Sequence, residues 1–263
     1  MSATTTEPVL LIERRGPVLV LRVNRPDKRN AINFAVKQAL TSALDQAAAD
    51  DRVRCIVLTG AGEAAFIAGA DISEMVDRTA IEQARVMRQA RIFEQVATHP
   101  KPVIAAVNGV ALGGGLELAL ACDFRIAAPQ ARFGQPEVSL GLIPGGGGTQ
   151  RLPHMVGEGM ALKMILTGEP MTADEAYRIG LVQEIIPATT LLDRAVALGD
   201  MIAAKSPVAV RAAKEAVRAA QRLPLTQGYA LETSLFLGAF ASDDRVEGMR
   251  AFLEKRKPAF TGR

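Results

Sequence analysis

The chain has 263 residues, 49% of them apolar and 22% charged, with a formal net charge of +3 and a pI near 9.0. That is enough apolar material for one large buried core, alone or with a small appendage, and it excludes a disordered or fibrous chain. No apolar run reaches the roughly 18 residues of a membrane span, and the mild basicity permits a polyanionic partner without requiring one.

Met1 to Pro8 is Thr-rich and has neither the basic and apolar regions of a secretory signal nor the Arg content of a transit peptide, so we expect a frayed tail on a cytoplasmic protein. Val18 to Val23 and Cys55 to Leu58 are rich in β-branched residues and read as strands. Between them, Asn33 to Ala49 places Val36, Leu40 and Leu44 on one helical face. Pro102 to Val107 repeats the strand signal, ends at Asn108-Gly109, and leads through Gly113-Gly-Gly115 into a helix-compatible run ending at Cys122. Phe124 to Ala127 and Val182 to Ile186 add strands, which implies an α/β domain with parallel pairing and helices outside. After Thr189 the chain becomes dense in Ala, Leu, Lys, Arg and Glu, with Pro207 and Pro224 where helices begin. We therefore divide it into an α/β core over 1–188 and a helical region over 189–263, the latter packing on the core or on a neighbouring subunit. Cys55 and Cys122 lie in apolar stretches and read as buried reduced thiols. The basic clusters Arg25 to Arg29 and Lys255 to Lys257 read equally as solvated surface or phosphate contacts.

Three glycine-bearing loops stand out: Gly60 to Asp71, Asn108 to Gly115, and Gly141 to Gly148. Such loops can aim backbone N–H groups at an anionic oxygen, although each could equally be a tight turn. No dinucleotide-binding, P-loop or serine-hydrolase elbow pattern is present. Glu117 falls in the first turn of the helix opened by Gly113 to Gly115, near unpartnered N–H groups. Glu137 precedes the third loop. The pair could serve general acid and general base steps around a stabilised oxyanion, whereas either acid alone reads as a solvated or capping side chain.

Phe66-Ile-Ala-Gly-Ala-Asp-Ile72, Lys101 to Leu118, and Phe133-Gly-Gln-Pro-Glu137 with Gly141 to Arg151 resemble the enoyl-CoA hydratase (crotonase) family, and the likeness runs from Asn24 to Lys257. The resemblance implies an α/β crotonase fold, a spiral of β-β-α units followed by helices that build trimers, often paired into hexamers. It also implies that the N–H groups of Ala70 and Gly114 polarise a thioester carbonyl, that Glu137 donates a proton to C2, and that Glu117 activates water. Gly145 would lie near the reacting centre, and Ala68, Asp71 and Ile72 would line the coenzyme A path. Lys255 would meet a coenzyme A phosphate, and Phe236 and Phe252 would lie near the ligand, from the same subunit or another, although both read equally as helix-packing residues.

The implied reaction is addition of water to a trans-2-enoyl-CoA, with coenzyme A as part of the substrate and no separate cofactor or metal. A specialised dehydratase or isomerase of the same family is the alternative. One departure stands out: many relatives carry a lysine just before Phe66, where this chain has Glu63-Ala-Ala65, so Arg25, Lys28 or Arg29 is expected to substitute. His99 and His154 match no family catalytic position and read as surface or loop-capping residues. An RNA-binding role is disfavoured by an aromatic content of 4% and the absence of tryptophan.

Overall fold

The computed structural model describes residues 7–89 and 91–263, so Met1 to Thr6 of the expected tail lie outside the described residues. Glu7 and Pro8 are tied down: Asn24 Nδ2 donates to the Pro8 carbonyl at 3.0 Å and to Glu7 Oε2 at 3.4 Å.

The chain opens on antiparallel strands β1 (Leu10–Arg15) and β2 (Val18–Val23). In α1 (Phe34–Ala49) the Asn33 side chain caps the first turn by accepting the Val36 N–H at 2.9 Å. Val36, Leu40 and Leu44 face the core, as their spacing predicts. β3 (Cys55–Gly60) pairs parallel to β2, and the chain then crosses to a second sheet at β4 (Ala65–Ile67). Two helices follow, α2 (Ala80–Gln89) and α3 (Ile92–Thr98). β5 (Val103–Val107) returns to the first sheet, β6 (Val110–Leu112) joins the second, and α4 (Gly114–Ala121) closes the unit. β7 (Phe124–Ala127) and β8 (Arg132–Gly134) repeat the step, leading to α5 (Gly148–Val156) and α6 (Glu158–Thr167). β9 (Met171–Thr172), α7 (Ala173–Arg178) and β10 (Glu184–Ile185) complete the sheets.

The first sheet has the order β1-β2-β3-β5-β7-β10 and the second β4-β6-β8-β9. Successive strands thus alternate between sheets before a helix returns the chain, and this repeated β-β-α step is the crotonase spiral. β3 and β5 are buried along their whole length. Cys55, Val57, Ile104 and Ala106 face Leu191 and Ala195, while Ile56, Leu58, Val103 and Ala105 join the larger core with α1 and α4. Strands covered on both faces carry continuous apolar runs, so these were legible without alternation.

Beyond β10 the chain is helical: α8 (Leu191–Ala203), α9 (Pro207–Ala219), α10 (Leu225–Phe240) and α11 (Asp243–Leu253). Pro207 is the first residue of α9 after the Ser206 cap, and Pro224 immediately precedes α10. α9 is anchored by Asp123, just beyond α4. The Asp123 carboxylate takes Lys214 Nζ at 2.7 Å, Arg218 Nη2 at 3.0 Å and the Val103 N–H at 2.7 Å. α10 has no buried residue, and Tyr229, Phe236 and Leu237 on it stay exposed within the single chain. Among the described residues no helix is long and apolar enough to cross a membrane.

Candidate active site

Two loops meet at the start of α4. Gly115 packs so tightly beneath β4 that a β-carbon would collide with the Ile67 carbonyl. This close approach brings the first turn of α4 against the segment that follows β4, where Gly69 leads into Ala70. That segment is held by pairing with the chain before α1: the Ile32 N–H donates to the Gly69 carbonyl at 2.8 Å, and the Asp71 N–H donates to the Ile32 carbonyl at 2.9 Å. Arg25 braces it, donating to Asp71 at 2.9 Å and to the Ala31 carbonyl at 2.7 Å. The bracing bonds use the peptides on either side of Ala70, whose own N–H donates to no backbone acceptor among the described residues. The Gly114 N–H, first in α4, has no intrahelical acceptor. A β-carbon on Gly114 would stand 3.7 Å from the Ala70 nitrogen. Two unpartnered N–H groups therefore border one small space, an arrangement suited to developing negative charge on oxygen.

The two carboxylates flank that space. Glu117 on α4 is only 3% exposed. Its Oε1 accepts the N–H groups of Gly146 at 2.6 Å and Gly148 at 2.8 Å. Since Gly148 is the first residue of α5, the acid sits at the N-terminus of α5. Glu117 lies in the first turn of α4, as expected from sequence, and its own N–H bonds back to the Gly113 carbonyl at 2.9 Å. Burial raises the Glu117 pKa, and the glycine N–H donors with the positive charge of Arg151 act against that rise.

Glu137 lies in the single turn Pro136–Leu140 after β8. Burial pushes its carboxyl up to about 7, and the charge of Glu117 adds to the rise. A β-carbon on Gly113 would stand 3.1 Å from Glu137 Oε1, so the acid lies over the turn that presents Gly114. Gln135 is fully buried. With its amide nitrogen facing the acid, Gln135 donates to both carboxyl oxygens at 3.0 Å.

Both acids, Ala70 and Gly114 line one cavity of about 1440 Å³, with Met75, Met87, Phe93 and Ile143 supplying apolar wall. The family described as enoyl-CoA hydratase/isomerase matches residues 13–263. The chain belongs to this enoyl-CoA hydratase/isomerase family. It is 43% identical to the short-chain-enoyl-CoA hydratase of Clostridium acetobutylicum over 249 residues, 94% of this chain and 95% of that protein. It is 44% identical to the 2,3-dehydroadipyl-CoA hydratase of Escherichia coli over 256 residues, 97% of this chain and 99% of the relative. The crystal structure of an enoyl-CoA hydratase from Bacillus anthracis superposes with a TM-score of 0.93 at 40% identity, covering 97% of this chain and all of the other.

Within this family frame, Ala68, Asp71, Ile72 and Gly145 line the same cavity as the two acids. The Asp71 carboxylate is already engaged by Arg25 and by Ser73 Oγ at 2.6 Å, so its observed contacts position the Ala70 loop. Arg25 is engaged in turn, while Lys28 and Arg29 are exposed. Phe236, Phe252 and Lys255 lie away from this cavity within one chain. Phe236 packs on Phe240 with ring centroids 5.8 Å apart, and Phe252 is 83% exposed.

His99 is buried, not on the surface: Nε2 faces the Leu44 carbonyl at 3.1 Å, and Nδ1 accepts the Lys101 N–H at 3.1 Å. Burial pushes its pKa down, which keeps it a neutral cap on α1. His154 is exposed at the cavity edge. Cys55 and Cys122 are free and buried, and burial pushes both thiols up to about 12.

Sequence reading missed three contributors: the buried Gln135, the aromatic wall Phe93, and Arg151. The loop Gly141 to Gly148 was read as able to aim N–H groups at an anionic oxygen, and those of Gly146 and Gly148 are aimed at the Glu117 carboxylate, at a helix start where such groups lack intrahelical partners. Phe93 lies on the short helix α3.

Proposed function

We propose that the protein is an enoyl-CoA hydratase that adds water reversibly, in the syn sense, to a trans-2-enoyl-CoA and gives a 3-hydroxyacyl-CoA. The observation that carries this reading is the pair of carboxyls, Glu117 buried and Glu137 half-buried, beside two unpartnered N–H groups. The thioester oxygen occupies the space between Ala70 and Gly114, where negative charge grows as hydroxide adds to C3. Glu117, whose carboxylate form the N–H groups of Gly146 and Gly148 favour, takes a proton from water. Glu137, whose burial lets it keep a proton near neutrality, delivers it to C2. An isomerase moves a proton between C2 and C4 and adds no water, so the presence of two acids supports hydration.

The acyl chain follows the apolar wall of Met75, Met87 and Phe93, and coenzyme A follows Ala68 and Ile72, as part of the substrate. No separate cofactor or nucleic acid enters the reaction. Phe236, Phe252 and Lys255 reach the ligand from a second copy of the chain in a homotrimer or a dimer of trimers, which also covers the apolar face of α10. We place the enzyme in the cytoplasm. Purified protein mixed with short, medium or branched trans-2-enoyl-CoAs should consume the conjugated enoyl-thioester absorbance and release a 3-hydroxyacyl-CoA. Release of a 3-enoyl-CoA instead would identify an isomerase.

The protonation states set the pH dependence. Hydration neither takes up nor releases a proton overall, so both directions must follow the same kcat/KM curve. The active form carries one proton on the pair. Because Glu137 must be protonated to donate, kcat/KM falls as pH rises through about 7, by roughly tenfold per unit well above it. Initial rates from about pH 5 to about pH 9 check this. A rate that climbs across that interval would mean that the active form carries no proton on the pair, and would remove Glu137 as proton donor.

A further inference from the structure

Arg151, one turn into α5, takes part in none of the steps above, yet it lines the cavity and is only partly exposed. Its Nη1 donates to the Gly146 carbonyl at 2.8 Å, and Nη2 reaches the Phe93 carbonyl at 3.5 Å. The Gly146 peptide nitrogen is the closer of the two donors to Glu117. One glycine is therefore grasped at both ends, by the arginine through its carbonyl and by the acid through its N–H. Gly147, between the two donors, has φ +107, and a β-carbon there would collide with the Arg151 guanidinium. The guanidinium thus fills space that a side chain at 147 would need. A β-carbon on Gly146 would stand 2.6 Å from Glu117 Oε2 and 2.7 Å from the Phe93 ring. Glycines, arginine, acid and aromatic wall form one fitted unit.

We propose that Arg151 is a positioning residue for hydration: by pinning the Gly146 carbonyl and bridging to α3, it aims the Gly146 and Gly148 N–H groups at Glu117 and holds that carboxylate where water is activated. The proposal rests on the hydratase reading. Arg151 touches no substrate in this arrangement and acts through Glu117. A planar guanidinium suits the task because it can donate to two carbonyls from one rigid fork, which an ammonium cannot do in the same geometry. Small displacements of a reacting group are costly, on the order of 10²-fold for about 1 Å.

The test compares Arg151→Met and Arg151→Lys in the wild-type and Glu117→Gln backgrounds, using a short trans-2-enoyl-CoA and measuring kcat and KM separately. In the wild-type background Arg151→Met should lower kcat by roughly 10²-fold, with KM and product-CoA affinity changed by no more than a few-fold. Arg151→Lys should lie between it and the wild type. On the residual rate of Glu117→Gln the same substitutions should have little effect, because residues acting through one another are not additive. Equal losses in both backgrounds, an unchanged kcat, or a rise confined to KM would each overturn the proposal. If Arg151→Met does not fold, Arg151→Lys carries the same comparison with a several-fold loss in the wild type alone. A wild-type enzyme with no hydratase turnover would instead sink the functional reading.

Discussion

Replacing Glu137 by glutamine should lower kcat for hydration of a short trans-2-enoyl-CoA by about 10²- to 10⁴-fold, and Glu117→Gln should do the same. The two losses have different causes. At position 137 an amide is nearly isosteric with the neutral acid but holds no transferable proton, so C2 loses its donor. At position 117 an amide oxygen can still accept from Gly146 and Gly148, so the loop persists, but no group removes the proton from attacking water. Both variants should bind an acyl-CoA product with near wild-type affinity, because neither acid supplies the apolar wall. Steady-state rates paired with titration of a 3-hydroxyacyl-CoA check this. Near wild-type rates in either variant would remove that residue from the chemistry.

The second large effect is expected from Gly114→Pro. Proline is well accommodated at the first position of a helix, where the N–H has no intrahelical partner to lose. The substitution therefore spares the helix bonds of α4 while deleting one of the two N–H groups at the thioester oxygen and placing ring carbon there. Loss of one oxyanion donor should cost about 10²- to 10³-fold in kcat/KM. Circular dichroism should show retained helix, and the remaining Ala70 N–H should support a slow residual rate. A variant that folds and turns over within a few-fold of wild type would show that the thioester oxygen lies elsewhere.

The central strands of the first sheet were legible because they are buried on both faces: Cys55 to Leu58 and Val103 to Val107 cannot be read as anything polar on one side, whereas the edge strand β1 went unread. The second sheet was not, because β4, β6 and β8 have three residues each, too few to show a period. Their positions follow from the crossover geometry and from the close approach of Gly115 to Ile67, which is a long-range packing fact. In the site, the two acids and the glycine loops could be picked out from sequence, but local reading gave the Glu117 carboxylate no partner. Gly146 and Gly148 lie 29 and 31 residues from Glu117, and only the folded chain brings α5 to it. Family likeness located Ala70 and Gly114 by motif. The structure adds why those two N–H groups are available: the bonds that brace Ala70 use its neighbours, and Gly114 opens a helix. Arg25 and Asp71, 46 residues apart, had no pairing signal in the sequence.

The most direct test of water addition by this pair is hydration of a short trans-2-enoyl-CoA by the wild-type protein in deuterated water, with the product resolved by NMR. The expected product is the 3-hydroxyacyl-CoA bearing one deuteron at C2, added to the same face as the C3 hydroxyl, with loss of the conjugated absorbance. Persistence of that absorbance with short, medium and branched substrates, or a product with no C3 hydroxyl, would contradict the account.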